Sequence, residues 1–139
     1  MDKFINRNFV YAVVGASKNR EKYGFKVLKD LKDAGFSVIP VNPHENSILG
    51  LRVYKSLSEI PRRVDVVITV VKPVVTKEIV KECKKLGIRR VWMQPGSEDE
   101  EAIAFCRNNG INVVFNTCIM VEKASSDVLD FKPLQELND

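Results

Sequence analysis

The residues best suited to bind a ligand lie directly after the first apolar run of the chain. They are Gly15, Ala16 and Ser17, followed by Arg20 and Lys22. A glycine permits a tight turn, and a serine hydroxyl with the neighbouring N–H groups donates hydrogen bonds to phosphate oxygens. The two cations add complementary charge. The pattern predicts a phosphate-binding loop in front of a helix; the alternative is a tight strand–helix turn with solvated basic side chains.

Three further segments follow apolar runs in the same way and complete the predicted site. Each contains a proline, which stiffens the backbone and lowers the ordering cost of binding a ligand. Because parallel strands bring their carboxyl ends to one edge of a sheet, we expect these segments to meet the first loop there. Their predicted ligand-facing residues are Val41, Asn42, Pro43, Val71, Lys72, Pro73, Gln94, Pro95 and Gly96.

The first loop lacks the glycine spacing of a dinucleotide-binding enzyme. After Gly15, the second and third glycines of that fingerprint are absent. The second apolar run ends in Asn42 and Pro43, where an NAD site places Asp or Glu for the ribose hydroxyls. The pattern therefore favours a nucleotide site of another kind over an NAD site.

Residues that could carry out a reaction are few. The one histidine, His44, stands in a loop beside the predicted site, where a surface or ligand-contact role is commoner than acid–base catalysis. The sequence offers no Ser/His/Asp set, metal-ligand cluster or converging pair of carboxylates. We therefore predict no catalytic residue and no metal site.

Alternating apolar runs and amphipathic stretches predict the elements that position these segments. Five strands are expected, at residues 9–14, 36–41, 64–71, 89–93 and 111–115. Helices are expected between them at residues 21–34, 73–86 and 98–109, with a short outer helix at 128–137. This alternation predicts an α/β fold: a single Rossmann-like, doubly wound domain with a five-stranded parallel sheet in the order 3-2-1-4-5 and helices on both faces.

Two of the predicted helices have a clear apolar spacing. The residues expected to face the core are Tyr23, Val27, Leu28 and Leu31 in the first helix, and Val75, Ile79, Cys83 and Leu86 in the second. The near-continuous apolar run at 64–71 indicates a strand that is buried on both faces. Between the second and third strands we expect an irregular stretch with a turn at Gly50.

Length and charge limit the partners. With 139 residues, the chain is expected to form one domain, 1–139, with a core at about 9–122 and a C-terminal tail at 123–139. The net charge is +4, of which residues 125–139 contribute −3 and the preceding body +7. A mildly basic body suits a phosphorylated ligand, whereas no basic run interleaved with aromatic residues indicates nucleic acid. The apolar runs are too short to span a membrane, and no signal peptide is evident.

These features together resemble the CoA-binding domain family, the stand-alone relatives of the amino-terminal domain of succinyl-CoA synthetase α subunits. The resemblance extends from about residue 9 to 122, and the order and separation of its landmarks make it specific. The landmarks are residues 13–17, 39–43, the Gly50 turn, 54–57 before Pro61, 64–67, 91–96, Cys118 and Glu122.

The resemblance implies that coenzyme A binds across the strand ends. Residues 15–17 would meet the phosphates with Arg20 and Lys22 nearby, 41–43 would flank the nucleotide, 71–73 would form the next wall, and 94–96 would lie towards the pantetheine arm. The chain departs from the family pattern at two places. Relatives often carry two basic residues at the third strand end, where this chain has only Lys72, and Glu21-Lys22 replaces the usual Pro or Ser.

The cysteines receive separate interpretations. Cys83 and Cys106 have apolar neighbours on predicted helix faces and are expected in the core. Cys118 follows the fifth strand on the ligand side, where its role is either structural or thiol exchange with CoA. An odd number of widely spaced cysteines is typical of a reducing compartment, so we predict a cytoplasmic protein.

The function expected from the resemblance is non-catalytic binding of CoA or an acyl-CoA. Catalytic relatives use a phosphohistidine from a second domain, for which we expect no room in this chain. The alternative is an accessory subunit of an acyl-CoA ligase, or of another nucleotide-dependent enzyme, that needs a partner chain for catalysis. Neither nucleic acid nor a membrane is an expected partner; a protein partner or a homo-oligomer is left open.

Overall fold

The alternating pattern of the sequence produces alternating strands and helices in a computed structural model, which describes residues 4–125. In chain order the elements are β1 (Val10–Val14), α1 (Tyr23–Asp33), β2 (Ser37–Val41), β3 (Ser47–Ile48), β4 (Leu51–Arg52), β5 (Val66–Thr69), α2 (Pro73–Leu86), β6 (Arg90–Met93), α3 (Glu100–Asn108) and β7 (Asn112–Val114). Residues 119–125 are also helical. Over the described range, β1, β2, β5, β6 and β7 form one parallel five-stranded sheet, which confirms the predicted Rossmann-like α/β fold.

The strand order differs from the expected one. Counted along the chain, the five strands of the sheet lie in the order 2-1-3-4-5, so the predicted order 3-2-1-4-5 is wrong. Pro40 in β2 explains the difference. Its carbonyl accepts a hydrogen bond from the Tyr54 N–H (3.1 Å) on the outer side of β2, and its ring nitrogen has no proton to donate there. Because β2 must therefore be an edge strand, the chain returns to the other side of β1 to form β5.

The stretch between β2 and β5 contains a short hairpin that the sequence pattern did not predict. Strands β3 and β4 pair antiparallel, and the predicted Gly50 turn connects them. Leu49 (φ 52°) and Gly50 (φ 76°) both have left-handed backbone conformations, as two-residue hairpin turns require. Tyr54 then forms a parallel bridge with Val41 and covers part of the outer edge of β2.

Two apolar cores lie on the two faces of the sheet. Along β1, Ala12 and Val14 face one core, which α2 and α3 cover, while Tyr11 and Val13 face the other, which α1 covers. Strand β5 also contributes to both cores, with all of its residues buried. Its predicted burial on both faces is confirmed, and so are the helices on both faces of the sheet.

The predicted helix faces are correct in part. In α1, Val27, Leu28 and Leu31 are buried as expected, but Tyr23 is 60% exposed and Phe25 is buried instead. In α2, Cys83 is buried as expected, whereas Val75 and Leu86 are exposed.

The α2 helix is rotated relative to the expectation because a polar residue faces inward. Thr76 is fully buried, and its hydroxyl donates a hydrogen bond to the Ser97 carbonyl at 2.7 Å. Thr76, Val80 and Cys83 thus form the buried face. The short helix expected at 128–137 lies outside the described residues. Within residues 4–125, no helix is both long enough and apolar enough to cross a membrane.

Candidate ligand-binding site

The loop after β1 is shaped by close backbone contacts at Gly15. This residue has φ +97°, and a Cβ atom added to it would lie 2.2 Å from the Val70 carbonyl oxygen. Its N–H donates a hydrogen bond to the Val41 carbonyl at 3.0 Å. Gly15 therefore permits both the turn and the close approach of the ends of β2 and β5.

A second glycine brings the start of α1 against this loop. A Cβ atom on Gly24 would lie 2.0 Å from the Gly15 carbonyl oxygen. In dinucleotide-binding folds the third glycine of the fingerprint allows such a close helix–strand contact. Here the glycine nine positions after Gly15 has that role. Gly24 was not among the predicted site residues. The sequence did contain a signal for it, because glycine disfavours a helix and its presence in the first turn of one needs a reason.

The amino end of α1 is suited to an anion. Lys22 is the N-cap residue, and its ammonium group cannot accept hydrogen bonds from the first-turn N–H groups. Those N–H groups and the helix dipole favour a negatively charged ligand. In the preceding turn, the Ser17 hydroxyl oxygen accepts from the Asn19 N–H at 3.0 Å, which leaves its proton free to donate to a ligand.

The predicted basic residues are exposed around this turn. The Arg20 guanidinium lies over the Phe25 ring at 5.7 Å from its centroid, and Lys22 is solvated. A carboxylate also reaches the loop, since Glu45 accepts a hydrogen bond from the Lys18 N–H at 3.3 Å.

The end of β2 is hydrogen-bonded to the loop after β1. The side-chain amide of Asn42 donates to the Ala16 carbonyl at 2.7 Å, and its oxygen accepts from the His44 N–H at 2.8 Å. Ala16 has no accessible surface and Val41 is almost completely buried. These residues position the loop, and their predicted ligand contacts stay predictions. Pro43 and His44 are exposed at the same edge.

The end of β5 lies beside the loop after β1, and the role of residues 71–73 as the next wall of the site stays a prediction. Val71 lies beside Gly15, with its Cγ1 2.8 Å from the position of a Cβ there. Lys72 is the N-cap residue of α2, and Pro73 occupies the first turn as expected. Both Lys72 and Pro73 are exposed.

At the end of β6, the Gln94 side chain is directed into the protein. It is 3% exposed; its Nε2 donates to Cys118 Sγ at 3.3 Å, and its Oε1 accepts from the Ile119 N–H at 2.8 Å. Its backbone N–H donates to the Thr69 carbonyl at 3.0 Å. Gln94 therefore positions the start of helical residues 119–125 beside the ligand edge. Pro95 and Gly96 follow and are exposed.

A buried hydroxyl network that the sequence did not predict fixes the loop after β6. The Ser97 Oγ lies 2.8 Å from both the Thr69 Oγ1 and the Gln94 carbonyl oxygen. The Ser97 carbonyl oxygen also accepts a hydrogen bond from the Thr76 hydroxyl. These contacts connect the loop to β5 and α2. The sequence signal was Thr69 at the end of an otherwise apolar strand.

A cleft of about 1000 Å³ lies at this edge, and we call it the apolar cleft. Its lining residues are Tyr23, Gln94, Pro95, Cys118, Met120, Val121, Ala124 and Ser125. Lys123, which is nearly buried, forms an ion pair with Asp30 of α1 at 3.3 Å and so connects helical residues 119–125 to α1. The sequence indicated Gln94, Pro95 and Cys118. It did not indicate the residues of 119–125, which was not predicted to be helical, or Tyr23, which was expected to face the core.

The three cysteines lie where their interpretations place them. Cys83 and Cys106 are fully buried core residues, as predicted. Burial raises the pKa of the Cys83 thiol far above its usual range and that of Cys106 to about 11. Cys118 is half-buried and lines the apolar cleft on the ligand side.

The four predicted strand ends thus meet at one edge of the sheet, with direct hydrogen bonds between the first and second and between the third and fourth. Within residues 4–125, no three His, Cys, Asp or Glu side chains lie close enough together to hold a metal ion.

Comparison with known proteins identifies relatives of this chain. The model of a family described as "CoA binding domain" matches residues 10–124. The chain is 32% identical over 130 residues to acetate–CoA ligase (ADP-forming) II subunit alpha of Pyrococcus furiosus, covering 86% of this chain and 28% of that protein. It is 30% identical over 122 residues to the uncharacterized protein YneT of Bacillus subtilis, covering 88% and 90%.

The solved structures agree with the fold. A conserved hypothetical protein of Pyrococcus furiosus superposes with a TM-score of 0.79 at 46% identity, covering 82% of this chain and 98% of that one. A hypothetical protein of Pyrococcus horikoshii gives a TM-score of 0.80 at 36% identity, with coverages of 83% and 81%. The chain therefore spans a small part of the ligase subunit but most of these shorter proteins.

Proposed function

Since this chain belongs to the CoA-binding domain family, we propose that it is a single-domain protein that binds coenzyme A or an acyl-CoA at the carboxyl edge of its sheet without catalysing a reaction. One observation carries the proposal. The contact between Gly24 and Gly15 places the amino end of α1 at a tight phosphate-type loop, directly beside the apolar cleft. An anion site joined to an apolar cleft matches a ligand with phosphates at one end and an uncharged arm at the other.

The phosphates of CoA would lie at residues 15–17 and the start of α1. The N–H groups of the first two residues of α1, Tyr23 and Gly24, and the Ser17 hydroxyl are donors of the required kind. Arg20, Lys22 and Lys72 surround this region with positive charge. Because all three are exposed, they contribute long-range attraction more than tight ion pairs.

The rest of the ligand would extend along the same edge. The nucleotide would be flanked by residues 41–43, and the pantetheine arm would pass Val71 towards Pro95 and Gly96 at the mouth of the apolar cleft. Gln94 would act on this arm indirectly, because its side-chain amide already bonds to Cys118 and Ile119. We place this binding in the cytoplasm, in keeping with three free thiols.

A second candidate function is that of an accessory subunit of an acyl-CoA ligase. The similarity to the α subunit of an acetate–CoA ligase favours it. The chain also covers 90% of YneT and 98% of the Pyrococcus furiosus structure, so proteins of about this length occur among its relatives. Co-purification with a second subunit, together with acyl-CoA formation by the pair, would favour the ligase role.

Isothermal titration calorimetry of the whole chain with CoA, ATP and NAD tests the main proposal. We expect saturable binding of CoA, weaker binding of ATP and no binding of NAD, because the end of β2 carries Asn42 where an NAD site needs a carboxylate. Tight binding of NAD with no response to CoA would overturn the proposal.

A further inference from the structure

The apolar cleft differs from the phosphate loop in its chemistry. Among the described residues, none of the eight that line it carries a charge, and five are apolar or aromatic: Tyr23, Pro95, Met120, Val121 and Ala124. Its volume of about 1000 Å³ is at the upper end of the range for small-molecule pockets. Such a wall binds hydrocarbon and disfavours a charged group that cannot find a partner.

The polar groups of the inner wall are already used within the protein. Gln94 Nε2 donates to Cys118 Sγ, and Gln94 Oε1 accepts from the Ile119 N–H. The Gln94 side chain is therefore engaged within the protein through both its nitrogen and its oxygen, so a ligand beside it gains most by contributing apolar surface.

The charged residues near the cleft are engaged elsewhere. Lys123, on the same helical segment as Val121, pairs with Asp30. The Glu98 carboxylate accepts from the Gly96 N–H at 3.0 Å. The Lys26 ammonium lies over the ring of Tyr23 at 5.2 Å from the centroid. It is therefore the cation near the cleft that a negatively charged ligand would contact.

The cleft lies next to the start of α1, because Tyr23 is the first residue of that helix. This residue lines the cleft and directly precedes Gly24, the residue in contact with the phosphate loop. A ligand with its phosphates at the start of α1 would therefore have its distal end at the cleft.

We propose that the apolar cleft binds the acyl group of an acyl-CoA, and that it selects uncharged hydrocarbon acyl groups over free CoA and over acyl groups that end in a carboxylate. This inference rests on the proposed function, since the CoA part provides the common anchor. Burial of each methylene tightens binding by up to about 3- to 4-fold, so affinity should rise with chain length until the cleft is filled. A terminal carboxylate would lose water there and gain no cationic partner among the lining residues, whose remaining side-chain donors are the neutral hydroxyls of Tyr23 and Ser125.

The test measures dissociation constants by calorimetry for free CoA and its acetyl, butyryl, hexanoyl and octanoyl thioesters, with succinyl-CoA as the partner of butyryl-CoA at equal carbon number. We expect a progressive tightening from acetyl to hexanoyl, and butyryl-CoA at least about 10-fold tighter than succinyl-CoA.

Two exposed valines provide a matched pair of variants. Val121 lines the cleft and is 61% exposed, whereas Val74 on α2 is 64% exposed and does not line it. Val121→Asn should reduce the gain from acetyl to hexanoyl by about 3-fold or more, and Val74→Asn should leave it unchanged. Because both side chains are largely solvated, neither variant should unfold the protein; circular dichroism checks this.

The outcomes separate the two proposals. If CoA binds but affinity is independent of chain length, or succinyl-CoA binds as tightly as butyryl-CoA, the acyl inference is wrong while the proposed function stands. A chain-length effect that Val121→Asn and Val74→Asn reduce equally also contradicts this cleft as the acyl site. If neither CoA nor any thioester binds, the proposed function fails, and the inference fails with it.

Discussion

The loop after β1, which we propose as the phosphate loop, and the apolar cleft lie at the same edge of the sheet, but they are built in different ways. The loop is shaped by backbone atoms at distances that only glycine permits, at Gly15 and Gly24. The cleft is shaped by side chains, with Gln94 positioning residues 118–119 and Lys123 connecting the helical segment to α1. A site built from backbone has almost no tolerance for added atoms, whereas a site built from side chains can change in size and selectivity.

The largest expected effect is at Gly15. Gly15→Ala combines φ +97° with a Cβ 2.2 Å from the Val70 carbonyl oxygen, so we expect it to lower the free energy of unfolding by about 3 kcal/mol and to abolish CoA binding. Gly110→Ala is the control, because Gly110 has φ +69° and nothing within 4 Å of its added Cβ. It should cost only about 1 kcal/mol. Urea denaturation measures both, and equal losses would show that steric contact does not define the loop.

Thiol reactivity should separate the cleft from the core. Because burial raises the pKa of Cys106 to about 11, its thiolate at pH 8 is about 100-fold scarcer than that of an ordinary thiol, and Cys83 is affected further in the same direction. We expect an aromatic disulfide reagent to label Cys118 alone in the folded protein, and CoA to slow that labelling. Mass spectrometry after exposure to oxidised CoA then tests thiol exchange, with Cys118→Ser as control. Rapid labelling of all three thiols before unfolding would contradict the core positions.

Gln94→Leu should damage the cleft more than the loop. It leaves the buried Ile119 N–H without its acceptor, which costs about 1–3 kcal/mol in the free energy of unfolding. We expect affinity for hexanoyl-CoA to fall more than affinity for free CoA, because the helical wall moves while the phosphate loop stays. Gln94→Glu keeps the acceptor but loses the donor to Cys118, and calorimetry of both variants shows which bond matters. Equal losses for the two ligands would mean that Gln94 supports the whole edge.

The smallest expected effect concerns the exposed cations of the loop. Lys22→Gln should weaken CoA binding by about 2- to 5-fold at low salt, and added salt should reduce this difference. Lys32→Gln, an exposed lysine at the other end of α1, should have no effect. Titrations at two salt concentrations measure the change. A loss of 100-fold or more at Lys22 would instead indicate a tight, desolvated ion pair.

Part of the site could be predicted from the sequence because short segments of the chain encode it. The apolar runs ended at or within about two residues of the strand ends, and a glycine or a proline marked the following loops, at Gly15, Pro43, Pro73 and Pro95. The rotation of α2 could not be predicted, because the apolar spacing of Val75 and Ile79 indicated a different buried face. The face that is buried depends on the Thr76 hydroxyl, whose acceptor lies 21 residues away.

By itself the sequence determined the element types, the parallel sheet, the edge at which the ligand segments meet and the resemblance to a CoA-binding family. These properties follow from periodicity and from turn residues, which act over a few positions. Only the tertiary structure decided the strand order, the contact of Gly24 with Gly15 and the contribution of residues 119–125 to the cleft. The strand order was partly indicated by Pro40, since a strand residue without an N–H favours an edge position. The other contacts depend on where a distant part of the chain returns, which no local pattern encodes.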